Sequence, residues 1–542
     1  MSNINGNQES RSAKSAKNLL FGVISQGVSV LLTFVIRIVL VRQVGILSVS
    51  LNGLFNEVIA MLSLAELGVG SAIVYSLYKP LAEHNEKKIV KLMNMYKTAY
   101  RNIAMAIFGM GLCLLPFIQH IVTKVDISDN YIRLVFFLFL TQTASSYLFS
   151  YKSSLLNADQ NAHVVSKITT VVRLVGEAIN IICLFAFHNY IIYLIVEILI
   201  TVSINIIISG QVDKMYPFLN RKDELLNVEK RMIFKNMKSI FIGSLSGRIT
   251  NSTDNILISV LVGTYEVGIY TGYSTLASGL RKIIDQLDNA TAGSVGNLMA
   301  EGNAQKCDEV LKKMTFINYF FGSLFACLLY CLSSTLVRIM YGEEYTYNTD
   351  SMLGLLVIFV FSINFFLTVL KSPLWRFMQV SGLFAKDKNI SIAGSTANLI
   401  ISIVLGIKLG TLGILIGTIA TLLIQIVLKI RLLYKDAFKI SSLKFYLRYI
   451  IYGFFGILGM LLAKFICAEI ISGNLYIDLI LKAIVAAFVP LCINYIIFCR
   501  TKEYSYLKEI LWRYAYKIWR LTEPIRRRKK AFFGRLRSRS DS

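Results

Sequence analysis

Charge is scarce in this chain. Only 16% of its 542 residues are Asp, Glu, Lys or Arg, against 55% hydrophobic, and the mean hydropathy is +0.59. A soluble chain of this length carries far more charge on its surface, so a soluble globular class is excluded. Histidine is rarer still: His84, His120, His163 and His188 are scattered near expected helix ends. The eight cysteines lie mostly within apolar runs, with no CxxC pair and no metal-ligand spacing. No metal or redox centre is expected. The alternating apolar and polar segments of a membrane β-barrel are absent as well. No soluble domain interrupts the chain, and the main expected outer loop is the short "YGEEYTYNTD" (341–350). A membrane glycosyltransferase or polymerase would need more than that to carry its catalytic residues.

What is present is a succession of apolar runs of about twenty residues, each long enough to cross ~30 Å of hydrocarbon. The expected class is an all-α polytopic membrane protein of about fourteen helices. They fall near 18–41, 51–78, 98–120, 131–152, 165–187, 190–210, 238–262, 266–290, 314–337, 351–371, 389–407, 409–429, 449–470 and 478–499. The polar residues 1–17 lead straight into the first run without a short cleavable signal pattern, so that helix is expected to stay. The net charge of +25 is unevenly spread. Lys and Arg crowd "KPLAEHNEKKIVKLMNMYK", "NRKDELLNVEKRMIFKNMK", "KCDEVLKK" and "KIRLLYKDAFKISSLKFYLR" and are sparse in "TKVDISDN" and "YGEEYTYNTD". The positive-inside rule then puts both termini in the cytoplasm and accounts for the basic surplus without nucleic acid.

The chain also repeats itself. Val44-Gly45 recurs as Val262-Gly263, "AEHN" (82–85) as "AEGN" (300–303), and Lys88 as Lys306, all at an offset of 218 residues (263 − 45 = 218). Six expected crossings separate the copies, and an even number preserves orientation, so the halves are parallel repeats. The expected organisation is a cytoplasmic N-terminus (1–17), an N-lobe of six helices (18–210), a cytoplasmic linker (211–237), a C-lobe of six (238–435), two further helices (436–500) and a tail (501–542). In the tail, "EYSYLKEILWRYAYKIWRL" (503–521) has the spacing of an interfacial amphipathic helix. "IRRRKKAFFGRLRSR" (525–539) beside a membrane most simply binds anionic lipid, with docking of a cytoplasmic partner as the sharper alternative.

Charges inside the spans carry the chemistry, because lipid makes them costly. An arginine at mid-span costs at least ~2.5–3.5 kcal/mol on insertion scales. Arg37 sits in "VLLTFVIRIVLVRQVG" (30–45) and either snorkels outward beside Arg42 or faces something anionic. Arg173 and Glu177, and again Arg281 and Asp285, stand four apart on one helix face, which also suits a self-neutralising structural pair. Arg248 and Asp254 lie in the most polar span, which should line a wet cavity. Glu66 sits near the middle of the second span. Lys152, Lys371 and Arg376 end spans on the cytoplasmic side and read first as interface anchors, with Lys152 and Lys371 as secondary cavity candidates. Arg37, Arg173, Arg248 and Arg281 would line a cleft suited to a phosphate-bearing substrate, since arginine stays charged and grips phosphate bidentately. Glu66, Glu177, Asp254 and Asp285 could temper that grip or bind Na⁺ or H⁺.

"LVRQVGILSVSLNGLFNEVIAMLSLAELGVGSAIVYSLYKPLAEHNEKKI" (40–89), above all "LAELGVGSAIVYSLYKPLA", resembles the polysaccharide-transporter branch of the multidrug/oligosaccharidyl-lipid/polysaccharide (MOP) exporter superfamily. The O-antigen and capsule repeat-unit flippases belong to that branch, and the fourteen-helix count also resembles the lipid II flippases. The resemblance implies a MATE-like fold of two six-helix lobes about a central cavity, working by alternating access in the bacterial cytoplasmic membrane. It implies an undecaprenyl-pyrophosphate-linked oligosaccharide as substrate, other polysaccharide-assembly proteins as partners, no cofactor and no enzymatic step. A cation-coupled multidrug exporter on the same fold is the nearest rival, and a scaffold for the assembly complex a further one.

Overall fold

The computed structural model describes residues 11–63, 69–148, 150–221, 253–300, 303–470 and 473–512. Apart from short turns and 3-10 segments, the described residues are helical. The helices are α1 (Arg11–Val44), α2 (Ile46–Leu62), α3 (Val69–Ala82), α4 (Glu86–Leu114), α5 (Asp129–Tyr147), α6 (Ser150–Ala158), α7 (Ala162–Phe187) and α8 (Tyr190–Met215). They continue as α9 (Asp254–Leu261), α10 (Thr264–Ala300), α11 (Ala304–Tyr341), α12 (Met352–Val380), α13 (Phe384–Leu409), α14 (Thr411–Leu432), α15 (Leu443–Ala468) and α16 (Leu475–Phe498). Helices are what lipid demands of an apolar chain, because each backbone N–H and C=O must find its partner within the segment.

Among the described residues, ten helices are long and apolar enough to cross a membrane, and the bent pair α5 and α6 makes an eleventh. Three of the fourteen expected spans do not reach that standard, each for its own reason. The second coincides with the shorter α2 and α3, with 64–68 between them outside the described residues. The seventh runs mostly through 222–252, also outside them. The eighth is α10, which is 37 residues long but too rich in Ser, Thr, Gly and charge.

The repeat is visible in local structure. Helices α2 and α3 together occupy 46–82, and α10 occupies 264–300, which is 218 residues further on at both ends. Helix α4 starts at Glu86 and α11 at Ala304, the same offset again. Asn85 caps α4 by accepting the Lys88 N–H at 3.0 Å, and Asn303 accepts the Lys306 N–H at 3.0 Å. Gly45 and Gly263 both hold positive φ, at 101° and 145°, in the turn before a helix, where a residue with a Cβ would be strained.

By compactness the chain forms two units. The first comprises Met1–Lys282, Ser333–Asn364 and Gly382–Leu428. One part of its core packs α3, α4, α5, α6 and α8 through Leu77, Met93, Tyr96, Tyr100, Leu140, Leu155 and Val212. The second comprises Ile283–Leu332, Phe365–Ser381 and Lys429–Ser542. Its centre is aromatic: Tyr319 stacks on Tyr452 with ring centroids 4.4 Å apart, and Phe316, Phe366 and Phe498 meet them edge-on or tilted. Buried Asp288 is held there by Ser372 at 2.5 Å and by Asn318 at 3.4 Å. The start of the amphipathic tail segment is helical from 502 to 512, and Glu503 pairs with Arg448 on α15 at 2.5 Å.

Candidate functional site

In the first unit, α1, α2, α7 and α8 enclose a cavity of about 140 Å³. Its lining includes Ser29, Thr33, Arg37, Asn52, Arg173, Glu177, Tyr193 and Glu197. The helical period explains the assembly. Ser29, Thr33, Ile36, Arg37 and Leu40 fall three or four apart on one face of α1, and Arg173 and Glu177 do so on α7.

Arg37 therefore lines a polar cavity. Its Nη1 donates to the Thr271 carbonyl of α10 at 3.4 Å. Arg173 reaches Glu177 at 3.7 Å, with the arginine side chain 40% exposed and the glutamate 6%. Such a long, half-open contact leaves the guanidinium other donors for a ligand. Behind the arginines stands a carboxyl pair. Glu177 and Glu197 are both buried, and the Asn180 amide donates to both, at 3.3 and 3.1 Å. Gln142 on α5 donates to Glu197 at 3.4 Å and to Thr201 at 3.4 Å. The cavity thus presents two cations toward its space and two acids in its wall, linked by neutral amides that can serve either protonation state of the acids.

The other candidates lie elsewhere. Lys152 on α6 is clasped by both oxygens of Asp213 and by Ser209 on α8, each at 2.7 Å, so its charge is already answered. Asp254 accepts from Thr418 of α14 at 3.4 Å. Arg281 and Asp285 are partly buried one turn apart on α10, and Lys371 is partly buried on α12; none of the three lines this cavity. Glu66 and Arg248 lie outside the described residues. Sequence reasoning passed over Glu197, Asn180 and Gln142. Glu197 had the needed signal, a lone acid in "YLIVEILI" that lipid would penalise as it does Glu177. The amides had none, because Asn and Gln are ordinary in such helices until a buried carboxyl is found beside them.

Comparison with known proteins fits this framework. The family model described as "Polysaccharide biosynthesis protein" matches residues 15–285. No curated protein sequence matches the chain. Among solved structures, the chain is similar to the lipid II flippase MurJ in an inward closed conformation, with a TM-score of 0.57 at 15% identity over 89% of this chain and 99% of that one. It is similar to an inward-facing multidrug resistance MATE family transporter of the MOP superfamily, with a TM-score of 0.57 at 14% identity over 76% of this chain and 96% of that one. It is also similar to a MOP superfamily transporter from Pyrococcus furiosus whose binding pocket is described as of reverse polarity, with a TM-score of 0.54 at 14% identity over 77% and 94%. At such identities the likeness is one of fold.

Proposed function

The chain belongs to the polysaccharide biosynthesis protein family, and on that premise we propose that it is a flippase for lipid-linked oligosaccharides. Its substrate is an oligosaccharide repeat unit on undecaprenyl pyrophosphate, carried from the inner to the outer leaflet of a bacterial cytoplasmic membrane for surface polysaccharide assembly. Both termini face the cytoplasm, and the basic tail (525–539) lies against anionic lipid. The observation that carries the reading is the pair of guanidinium groups, Arg37 and Arg173, on the cavity of the first unit. Two fixed cations in a low-dielectric wall suit a pyrophosphate, and no bond need be made or broken.

The size of the cavity defines its task. At about 140 Å³ it is well below the roughly 300–1,000 Å³ of a drug-sized ligand site. It takes a phosphate-sized group; the glycan needs a wider path, and the prenyl chain stays in lipid. The carboxyl pair Glu177 and Glu197 holds the coupling ion, H⁺ or Na⁺, close enough to Arg173 for ion and substrate to influence one another. A multidrug exporter of organic cations would be poorly served by arginines in this position.

The test is polymer assembly in cells lacking the native copy, complemented with wild type, Arg37→Ala or Arg173→Ala at matched membrane levels. The expected result is failure of both variants, with lipid-linked repeat units accumulating on the inner leaflet. Full complementation by both would overturn the phosphate-binding role.

A further inference from the structure

Six hydrogen bonds join two stretches of chain that lie about 140 residues apart, both in the first unit. The Thr264 N–H donates to the Thr123 carbonyl at 3.1 Å, and the Thr123 N–H donates back to Thr264 Oγ1 at 2.9 Å. Thr123 Oγ1 donates to the Ser259 carbonyl in a short bond, and Ser259 Oγ to the Ile121 carbonyl at 2.6 Å. Lys124 Nζ donates to the Val262 carbonyl at 2.7 Å. Ser259 and Thr264 share a further bond of 2.8 Å. The first stretch follows α4, and the second is the turn between α9 and α10.

The repeat supplies a counterpart. Ile339 is the equivalent of Ile121 (339 − 121 = 218), and Val44-Gly45 of Val262-Gly263. The Ile339 carbonyl accepts from Arg42 Nη2 at 3.4 Å. Each half thus offers the same carbonyl to the inter-helix turn region of the other. Arg42 is five residues, about 7.5 Å along α1, beyond the cavity residue Arg37.

We propose that residues 121–124 with 259–264, and their repeat-related counterpart Ile339 with Arg42, are two clasps that close the outer end of the transport path and must part for substrate to leave. The inference rests on the transport reading and orientation given above. The loops involved, "TKVDISDN" and "YGEEYTYNTD", are those the charge pattern places outside. The chemistry suits a gate. The clasps are polar and partly exposed, so each broken bond is replaced by one to water at small net cost. Apolar packing of the kind found around Tyr96 and Leu155 could not open so readily. Unusual backbone gathers at the same place: Lys124 holds φ at 55°, and Gly263 at 145° with its α-carbon against the Lys124 side chain. A non-glycine residue in the left-handed region persists only where its surroundings hold it, which fits a contact that relaxes on release.

Two experiments test the clasp. In the first, a Thr123→Cys/Thr264→Cys double variant in membranes is oxidised with copper phenanthroline, and the joined peptide is identified by mass spectrometry. The expected result is a joined peptide, arrest of transport and recovery on reduction. Absence of the joined peptide, or transport that continues through it, would overturn the clasp. The second needs no knowledge of the substrate. An Asn52→Cys reporter on the cavity is labelled with an impermeant maleimide added outside whole cells. Lys124→Met or Ser259→Ala should raise its labelling rate roughly fivefold, the weight of one ordinary hydrogen bond. An unchanged rate in both would sink the clasp even if the transport reading stands, and a raised rate without any lipid-linked substrate effect would sink only the transport reading.

Discussion

The two repeat-related halves share a skeleton and differ in charge. In the first half, Asn180 links Glu177 and Glu197 behind Arg37 and Arg173. At the offset of 218, Asn180 becomes Asn398 and Arg37 becomes Asn255. Asn398 donates to Thr418 at 3.2 Å, and Thr418 donates to Asp254 at 3.4 Å. The polar bridge between neighbouring helices is kept, but here it ends on one carboxylate with neutral partners. The same helical frame can therefore carry a cationic pocket in one half and a weakly acidic one in the other. What differs is a handful of side chains at positions the repeat has already brought to the pocket wall.

If that difference assigns substrate binding to the first half, then importing the second half's residue should abolish it. Arg37→Asn is expected to lower transport roughly ten- to a hundredfold, as loss of a charged hydrogen bond of about 1.5–3 kcal/mol requires. The measurement is the rate of lipid-linked substrate appearance on the outer leaflet of reconstituted vesicles. Arg37→Lys should recover only part of it, since an ammonium lacks the planar fork.

Glu197→Thr makes the same exchange on the acid side. It should leave substrate binding within a few fold while removing the response of transport to an imposed H⁺ or Na⁺ gradient. A variant that still responds fully would move the coupling ion to another acid, and Asp254 would be the first to examine. Asp254→Asn is expected to change transport less than threefold, because its only printed donor, Thr418, can equally bond an amide oxygen. An effect as large as that of Arg37→Asn would dissolve the functional asymmetry between the halves.

The smallest effect tests what the halves share. Tyr216 and Tyr434 are again 218 residues apart, and each donates to an aspartate, Asp159 at 2.7 Å and Asp308 at 2.5 Å. Tyr216 lies just past the end of α8. Burial, and then the adjoining Asp159 carboxylate, push its hydroxyl well above the ordinary value of 10.0. A raised value means the folded state holds the proton more tightly, so this contribution to stability is complete below about pH 10 and fades as pH rises beyond it. Tyr216→Phe should cost about 1 kcal/mol at neutral pH and should flatten the loss of thermal stability above pH 10. A purified sample scanned for unfolding between pH 8 and 11 would read both.

Much of this was legible in the sequence, for reasons that can be named. Apolar runs of bilayer length determine helices, because lipid offers a backbone no other partner. The glycines at 45 and 263 and the asparagines at 85 and 303 announced the repeat, since a positive φ and a helix N-cap each accept few residue types. The cost of charge in lipid pointed to Arg37, Arg173 and Glu177. Periodicity along one helix, however, says nothing about which neighbour that helix will meet. Only the packing of α1 against α7, and of α7 against α8, brought Arg37, Arg173 and Glu197 around one cavity. Only packing gave Lys152 its aspartate and left Arg281 out of that wall. The sequence determines what each helix must hide from lipid; the tertiary structure decides what it is hidden against, because that depends on contacts between residues far apart in the chain.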